Sequence, residues 1–277
     1  MRLLALSFVL LAATSLQVNG QSLRDEMRDT EEMLKASSKQ LNQFLRRFNG
    51  EEDEDGNRYY EKDKQFRSDK LRKKYFPTLF DQSNAGFNTS TLEAFQDAVI
   101  SKKSPQFLGL HTGDWFAEVA TTFTYEGKEI AGLLYMRLVP QGQGYAWVIE
   151  DLALDYLTDS FYKDPEDNTQ FIHPMSHELD FMTFRKAFRK EKNAAQYTNA
   201  DYQPDYLSIF LYEINQGRMQ YKTVNEVTFH FFSLDGWYFS LNNYNRPGYN
   251  TGWLISNLVE LGSDAEKKQL KDYIFDK

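Results

Sequence analysis

The sequence contains no cysteine, and this absence removes several kinds of chemistry at once. Disulfide bonds, thiolate metal sites and a cysteine nucleophile are all excluded. Only four of the 277 residues are histidine, and no Gly-x-Ser-x-Gly elbow occurs, so no pattern marks a nucleophilic triad. A glycine-rich loop that could cradle a phosphate is also missing. The sequence therefore carries no signature of a cofactor, and we expect none.

The chain also lacks an excess of positive charge. It has 32 Lys and Arg against 40 Asp and Glu, which gives a net charge of −8. Nucleic-acid binding needs a positive field that displaces counterions from the phosphates. The basic stretches at residues 58–74 and 185–192 are interleaved with acids or lie at predicted helix ends, which is typical of solvated faces. We therefore expect no nucleic-acid partner.

Long apolar runs are absent beyond the first twenty residues. Arg2 is followed by the apolar stretch Leu3 to Ala13, and small residues lie near Gly20. This order is typical of a secretory signal peptide spanning residues 1–20, with cleavage before Gln21. The stretch is too short to cross a bilayer, which takes about 20 apolar residues. We expect a secreted or periplasmic, soluble protein without a transmembrane segment.

What the sequence does contain is enough apolar material for one large domain or two small ones. Hydrophobic residues make up 41% and aromatic residues 16% of the chain. Apolar positions recur at helical spacing in residues 22–48, 58–75 and 91–100, which predicts three helices. From Trp115 the spacing changes to two, and turns separate predicted strands at 115–125, 130–139 and 145–154. Residues 21–155 are thus predicted to form helices followed by a three-stranded antiparallel meander.

Residues 156–277 repeat this order. A polar, turn-rich stretch precedes predicted helices at 177–195 and from Pro204 to Gly217. Predicted strands follow at 224–232, 237–245 and 253–261. Ser263 and Glu266 form a capping box that opens a last helix. We therefore predict two halves, residues 21–155 and residues 156–277.

An internal repeat supports this division. Each predicted meander has a Gly in its first hairpin, a Tyr eight residues later, an Arg ten residues later, and then a Trp at the start of its third strand. The members are Gly127, Tyr135, Arg137 and Trp147 in the first half and Gly236, Tyr244, Arg246 and Trp253 in the second. Agreement at all four positions predicts two homologous halves.

The hairpins that close on Gly127 and Gly236, with the strands Trp147-Val148-Ile149 and Trp253-Leu254-Ile255, resemble the NTF2-like and cystatin-like superfamilies. The pattern is also similar to exported, functionally uncharacterised Bacteroidetes-type proteins that carry such domains. The resemblance implies an α+β fold in which helices pack on curved antiparallel meanders. It implies no catalytic residues, because these superfamilies share no universal catalytic signature.

Ligand-binding residues are predicted on the meanders. Tyr135 and Arg137 lie two apart on one strand and therefore share a face. Tyr238, Tyr244 and Arg246 belong to a segment rich in aromatic residues, Asn and Gly, which suits stacking on a sugar or contact with a protein partner. We expect these five residues to form the binding surface, either displayed or buried between the halves.

Metal sites are not predicted. His173 and His177 are four apart, but Pro174 and the predicted cap at Ser176 keep the pair from sharing a helix face. The acidic run at residues 51–55 begins like a calcium loop, yet Lys62 stands where a bidentate Glu belongs. A solvated acidic loop is the expected structure.

These observations favour a non-catalytic binding or assembly protein of the cell envelope, with an unknown protein or glycan partner. One alternative is a small-molecule enzyme that uses an NTF2-like pocket for acid–base chemistry. His230 is the candidate base for it, facing a pocket opposite Glu226 or Asp151. The other alternative is a glycan-binding protein.

Overall fold

The computed structural model describes residues 41–53, 56–164, 166, 169–179, 181–182, 185, 188–189, 194–246 and 250–275. The predicted signal peptide and the first part of the predicted helix at 22–48 lie outside these residues. The part of that helix inside them, residues 41–49, is helical as expected. Within the described ranges, no helix is both long and apolar enough to span a membrane.

All six strands belong to one antiparallel sheet. They are β1 (Trp115–Tyr125), β2 (Lys128–Gln141), β3 (Gly144–Ala153), β4 (Met219–Leu234), β5 (Trp237–Tyr244) and β6 (Gly252–Glu260). Their order in the sheet is β3-β2-β1-β4-β5-β6. Each predicted meander is therefore present, and the two are joined through their first strands, β1 and β4. The predicted α+β class is confirmed.

Six helices flank this sheet in the described part of the chain. They are α1 (41–49), α2 (Asp69–Tyr75), α3 (Thr89–Val99), α4 (Asp155–Phe161), α5 (Tyr206–Asn215) and α6 (Asp264–Phe275). The predictions for α3, α5 and α6 are confirmed to within about two residues. The sequence prediction missed α4, whose seven residues lie in the stretch expected to be turn-rich.

Two helix predictions are wrong in extent. The helix predicted at 58–75 begins only at Asp69, capped by Ser68, because Asp63 binds the backbone N–H of Tyr60 and forms a turn ahead of it. In the described part of 177–195 the backbone forms short 3-10 turns, Pro174–Leu179 and Ala194–Tyr197. Phe181 has a φ of 53°, a left-handed conformation that interrupts an α-helix.

Two apolar cores lie on opposite faces of the sheet. Neighbouring residues Trp115 and Phe116 point into different cores, as the alternation of a strand requires. The main core packs one face against α1, α3, α4, α5 and the 3-10 turn Phe76–Leu79, and it is rich in phenylalanine. The second core packs the other face against α6, and its buried members are Phe116, Tyr135, Phe232, Tyr238 and Ile274.

The two meanders differ in register. Trp147 pairs with Leu138, eleven residues after the hairpin Gly127, whereas Trp253 pairs with Asn243, seven residues after Gly236. Arg137 lies inside β2, whereas Arg246 lies two residues beyond the end of β5. The matched residues of the sequence repeat therefore hold different places along their strands.

The outer edge of β6 is covered by another segment of the chain. Phe80 forms a parallel bridge with Ile255, and the N–H of Asp81 donates to the carbonyl oxygen of Ile255 over 3.0 Å. The side-chain amide of Asn84 donates to the carbonyl oxygen of Ser256. Residues 80–84 are thereby fixed beside the sheet, and they form one wall of the site described next.

Candidate functional site

A groove of about 390 Å³ opens between the 3-10 turn Phe76–Leu79, the loop 80–87 and α3. This volume lies in the range of ligand pockets, roughly 300–1,000 Å³. The apolar side chains along it are Phe76, Pro77, Phe80, Phe87 and Leu92. Its polar side chains are Asp81, Gln82, Asn84, Thr89, Glu93 and Gln96. We call this feature the α3 groove.

The floor of the α3 groove is a set of interlocked rings. The rings of Phe76 and Phe80 are 5.1 Å apart, and the ring of Phe87 meets Phe80 edge-on at 5.4 Å. Phe95 of α3 contacts both Phe76 and Phe80 from the main core. Pro77 sets the direction of the 3-10 turn, because its ring fixes φ. The floor is therefore held by the main core and is formed before any ligand binds.

Asp81, which lines the groove, is held in an ion pair with Arg246. Arg246 Nη2 donates to Asp81 Oδ1 over 2.6 Å, and Arg246 Nη1 donates to Ser83 Oγ over 2.8 Å. Burial by itself would raise the pKa of Asp81, but hydrogen bonds from Ser83 and Arg246 outweigh it and lower the pKa to about 2. Asp81 is consequently ionised at neutral pH, and its charge is balanced.

Tyr244 and Asn250 contact Arg246 behind the groove. The guanidinium of Arg246 lies 4.7 Å from the ring centre of Tyr244, a cation–π contact. Its Nε donates to the carbonyl oxygen of Asn250, and the Asn250 amide donates to the carbonyl oxygen of Phe80. Burial, with the charge of Asp81, raises the pKa of Tyr244. We call Asp81, Ser83, Tyr244, Arg246 and Asn250 the Arg246 cluster.

The structure separates the five ligand-binding residues predicted from the sequence. Tyr244 and Arg246 lie in the Arg246 cluster beside the groove. Tyr135 and Tyr238 are buried in the second core, and the Tyr135 hydroxyl donates to the carbonyl oxygen of Ile274. Arg137 pairs with Glu150 at 2.7 Å and approaches Asp114 at 3.8 Å. Periodicity did not predict the groove, because its walls come from a 3-10 turn, a loop and one side of α3. The ion pair beside it joins Asp81 and Arg246, which are 165 residues apart.

His230 lies in a second polar arrangement, on the sheet face that carries α6. Its Nδ1 is hydrogen-bonded to the Tyr238 hydroxyl at 2.8 Å, and its Nε2 lies 3.3 Å from Glu118 Oε2. Burial, together with the charge of Glu118, raises the pKa of Tyr238 to about 12. The prediction that His230 faces Glu226 or Asp151 is wrong, since β1 lies directly beside β4 and brings Glu118 to the imidazole.

The acidic segment after α1 also differs from its prediction. Glu52 is fully buried instead of solvated. Its carboxylate lies 2.7 Å from Arg46 Nε and 3.3 Å from Arg47 Nε, and it accepts a hydrogen bond from Gln43. Three side chains of α1 thus hold the carboxylate, which explains why Glu52 packs against the protein.

The histidines at 173 and 177 do not converge. His173 Nδ1 accepts a hydrogen bond from the backbone of Met175, and His177 Nδ1 contacts the carbonyl oxygen of Pro174. In the part of the chain that the structure describes, no group of three His, Asp or Glu side chains is placed to hold a metal ion.

The α3 groove can accept an apolar group on its rings and hydrogen bonds along its rim. The charge of Asp81 is balanced by Arg246, whereas Glu93 is an exposed carboxylate on α3, so the rim favours a cationic group. Comparison of the chain with models of known protein families, with curated proteins and with solved structures finds no match.

Proposed function

We propose that this protein is an exported, non-catalytic binding or assembly protein of the cell envelope, and that its ligand occupies the α3 groove. The observation that carries the proposal is a preformed groove with an aromatic floor and a polar rim, fixed on one side by the Arg246 cluster. Export is supported by the signal-like order of residues 1–20. The ligand class that fits the rim is an apolar group next to a positive charge, as in a peptide side chain beside Lys or Arg.

The finer architecture is part of the same proposal. We propose that the helices occupy the concave side of the sheet, as in NTF2-like or cystatin-like domains, and that the two halves arose by duplication. The strand order supports this, because each half supplies three consecutive antiparallel strands and the halves meet through β1 and β4. The different registers of Trp147 and Trp253 require that the third strands shifted after duplication.

Two features favour binding over catalysis. The space between helices and sheet, where an NTF2-like enzyme would hold its substrate, is occupied by stacked rings such as Phe48 and Phe239, whose centres are 6.4 Å apart. In the groove, the pKa of Asp81 is about 2, so that this carboxylate is a weak proton acceptor at neutral pH. A site built this way positions a ligand and has little capacity for proton transfer.

The test uses charge reversal on α3. Nuclear magnetic resonance of the mature protein with a fragment set of aryl-alkyl amines should show shifts concentrated at residues 76–96. Glu93→Lys should weaken the binding of these amines about tenfold or more, because it replaces the attractive charge with a repulsive one. Asp97→Lys is the matched control, since Asp97 is exposed on the same helix and does not line the groove.

The proposal fails if the amines shift the resonances of other regions, or if both charge reversals have the same effect on binding.

A glycan ligand is the second candidate, favoured by the amides of Gln82, Asn84 and Gln96 along the rim. In that case soluble oligosaccharides, and not the amines, would shift residues 76–96, and Glu93→Lys would have little effect. A Tyr238 variant does not distinguish these ligands, since Tyr238 is buried in the second core.

An enzyme is favoured by one observation, the contact of His230 with Glu118 and Tyr238, which resembles a general base held by two partners. None of the three residues lines the α3 groove. Turnover of a substrate that is lost in His230→Gln, with the circular dichroism spectrum kept, would establish this alternative over the binding function.

A further inference from the structure

The two edges of the sheet differ in whether another segment of the chain pairs with them. At the β6 edge, Phe80 and Asp81 pair with Ile255 and cover the strand. At the other edge lies β3, which pairs with β2 on its inner side. Among the residues that the structure describes, no strand pairs with the outer side of β3. Its outward backbone groups are a template for another strand.

The composition of β3 does not block such pairing. Proteins commonly protect an edge strand with Lys or Pro, and Gly144–Ala153 contains neither residue, nor any Arg. Its centre is the apolar run Tyr145-Ala146-Trp147-Val148-Ile149. Tyr145 is 46%, Trp147 40% and Val148 37% exposed. A long, apolar and exposed edge is the kind that binds another chain.

We propose that β3 is a self-association edge, on which a second copy of this chain adds its own β3 in antiparallel orientation. The apolar run is symmetric about Trp147, so a two-fold axis through this residue sets Trp147 against its equivalent and Tyr145 against Ile149. The result is a continuous twelve-stranded sheet across two copies. This inference goes beyond the groove and does not depend on it.

The charges select the antiparallel orientation. With the axis at Trp147, Glu150 faces Gly144 of the second copy, and Asp151 faces Gln143. A parallel arrangement in register would instead place Glu150 beside Glu150 and Asp151 beside Asp151. Like charges directly opposite one another destabilise a strand pair. The acidic end of β3 therefore permits one orientation and opposes the other.

The geometry also limits the strength of the pair. Tyr135 pairs with Asp151 and Met136 with Ile149, so Glu150 is an extra, bulged residue that ends the straight part of the edge. The straight part of the edge covers about the first six residues of β3, and Glu150 and Asp151 lie at its end. An interface of this length lies below the roughly 1,200 Å² of stable complexes, so the dimer forms in a concentration-dependent way. The ring of Tyr145, stacked on His111 at 3.9 Å, is ordered before association.

Because the chain has no cysteine, a single introduced thiol reports on one position only. Trp147→Cys in the mature protein should form a disulfide-linked dimer under mild oxidation, since residues paired at the axis bring their Cα atoms within disulfide range, about 4.4–6.8 Å. Glu150→Cys is the control on the same strand. Its thiols would lie about 20 Å apart along an antiparallel pair and should not cross-link.

A second measurement covers the case in which Trp147→Cys does not fold. In sedimentation equilibrium, the unmodified protein should show a dimer fraction that rises with concentration. Val148→Lys should raise the dissociation constant about tenfold or more, by placing a charge on the edge, while Tyr273→Lys on exposed α6 should leave it unchanged. Equal cross-linking of both cysteine variants, a dimer insensitive to Val148→Lys, or a monomer at every concentration would each overturn the proposal.

Discussion

At the scale of single residues, Arg72 shows how one side chain organises the neighbourhood of the groove. It is buried, with only 2% of its surface exposed. Its Nε, Nη1 and Nη2 donate to the carbonyl oxygens of Phe48, Val99 and Gln106 over 3.0, 2.9 and 2.7 Å. Burial lowers its pKa to about 10, which still leaves it charged at neutral pH. One guanidinium therefore fixes the ends of α1 and α3 against the following loop.

Arg72→Met should destabilise the protein by about 3–5 kcal/mol, because three buried carbonyl groups lose their donor. Arg72→Lys should lie between this variant and the unmodified protein, since an ammonium cannot reach all three carbonyls in one plane. Urea unfolding of each variant measures the effect. Lys73→Met, at the exposed neighbouring position, should change the free energy of unfolding by about 0.5 kcal/mol or less. Equal losses at the two positions would contradict this role.

The sequence predicts which element such a residue lies on better than it predicts which groups the residue contacts. Arg72 lies in a basic last turn, a pattern typical of a solvated helix end, and only the fold brings three carbonyl groups to it. Arg246 was predicted to bind a ligand, and it lies beside the groove bound to Asp81. His230 was placed correctly on a strand, but its partner Glu118 depends on which strand lies next to β4. Each error concerns a contact between distant parts of the chain.

At the scale of elements, α6 closes the second core. Its start is fixed as the sequence predicted: the N–H of Glu266 donates to Ser263 Oγ over 3.3 Å, and the Glu266 carboxylate accepts from the N–H of Gly262. Lys267 and Lys271 then reach Asp114 at 2.9 and 2.6 Å, at the start of β1. The helix is held at its first turns by charge and at its end by Ile274 in the apolar core.

Ile274→Ala should cost about 2–4 kcal/mol of stability, because it leaves a cavity among buried rings that cannot collapse around it. The same variant should bind more of a hydrophobic dye at low denaturant, as α6 opens from the sheet before the rest unfolds. Tyr273→Ala is the matched control on the neighbouring position, where 69% of the residue is exposed. Dye binding that rises equally in both variants would show that α6 is not a closing element.

Element prediction succeeded where periodicity was strong and local. The strands alternate cleanly, and the three helices with clear caps or apolar stripes begin or end close to their predicted residues. It failed at residues 58–68, where the Asp63 carboxylate accepts a hydrogen bond from the N–H of Tyr60 and forms a turn in a stretch with helical apolar spacing. It failed again at Phe181, whose positive φ no periodicity reveals. Side-chain competition for a backbone N–H decides the first case.

At the scale of the whole molecule, the seam between β1 and β4 determines how the two meanders depend on each other. The strands pair along the entire length of β1, from Trp115 with Phe231 to Tyr125 with Met219. Trp115 stacks on Phe231 at 5.3 Å, and on the other face Phe116 stacks on His230 at 4.9 Å. Sequence periodicity predicted the six strands, but it could not predict that β1 pairs with β4, because β2, β3 and residues 154–218 lie between them in the chain.

This seam predicts that neither half folds alone. If the chain is divided after residue 155, each fragment exposes an apolar strand edge and loses the ring partners across the seam. The fragments 21–155 and 156–277 should therefore each bind hydrophobic dye and lack a cooperative thermal transition. Mixed during refolding, they should recover the near-ultraviolet circular dichroism of the intact chain, because strand pairing needs no covalent link between β3 and β4. The intact chain should unfold in one transition by both fluorescence and circular dichroism. A fragment that melts cooperatively by itself would contradict this prediction, because it would show that this part of the chain folds without its partner across the seam.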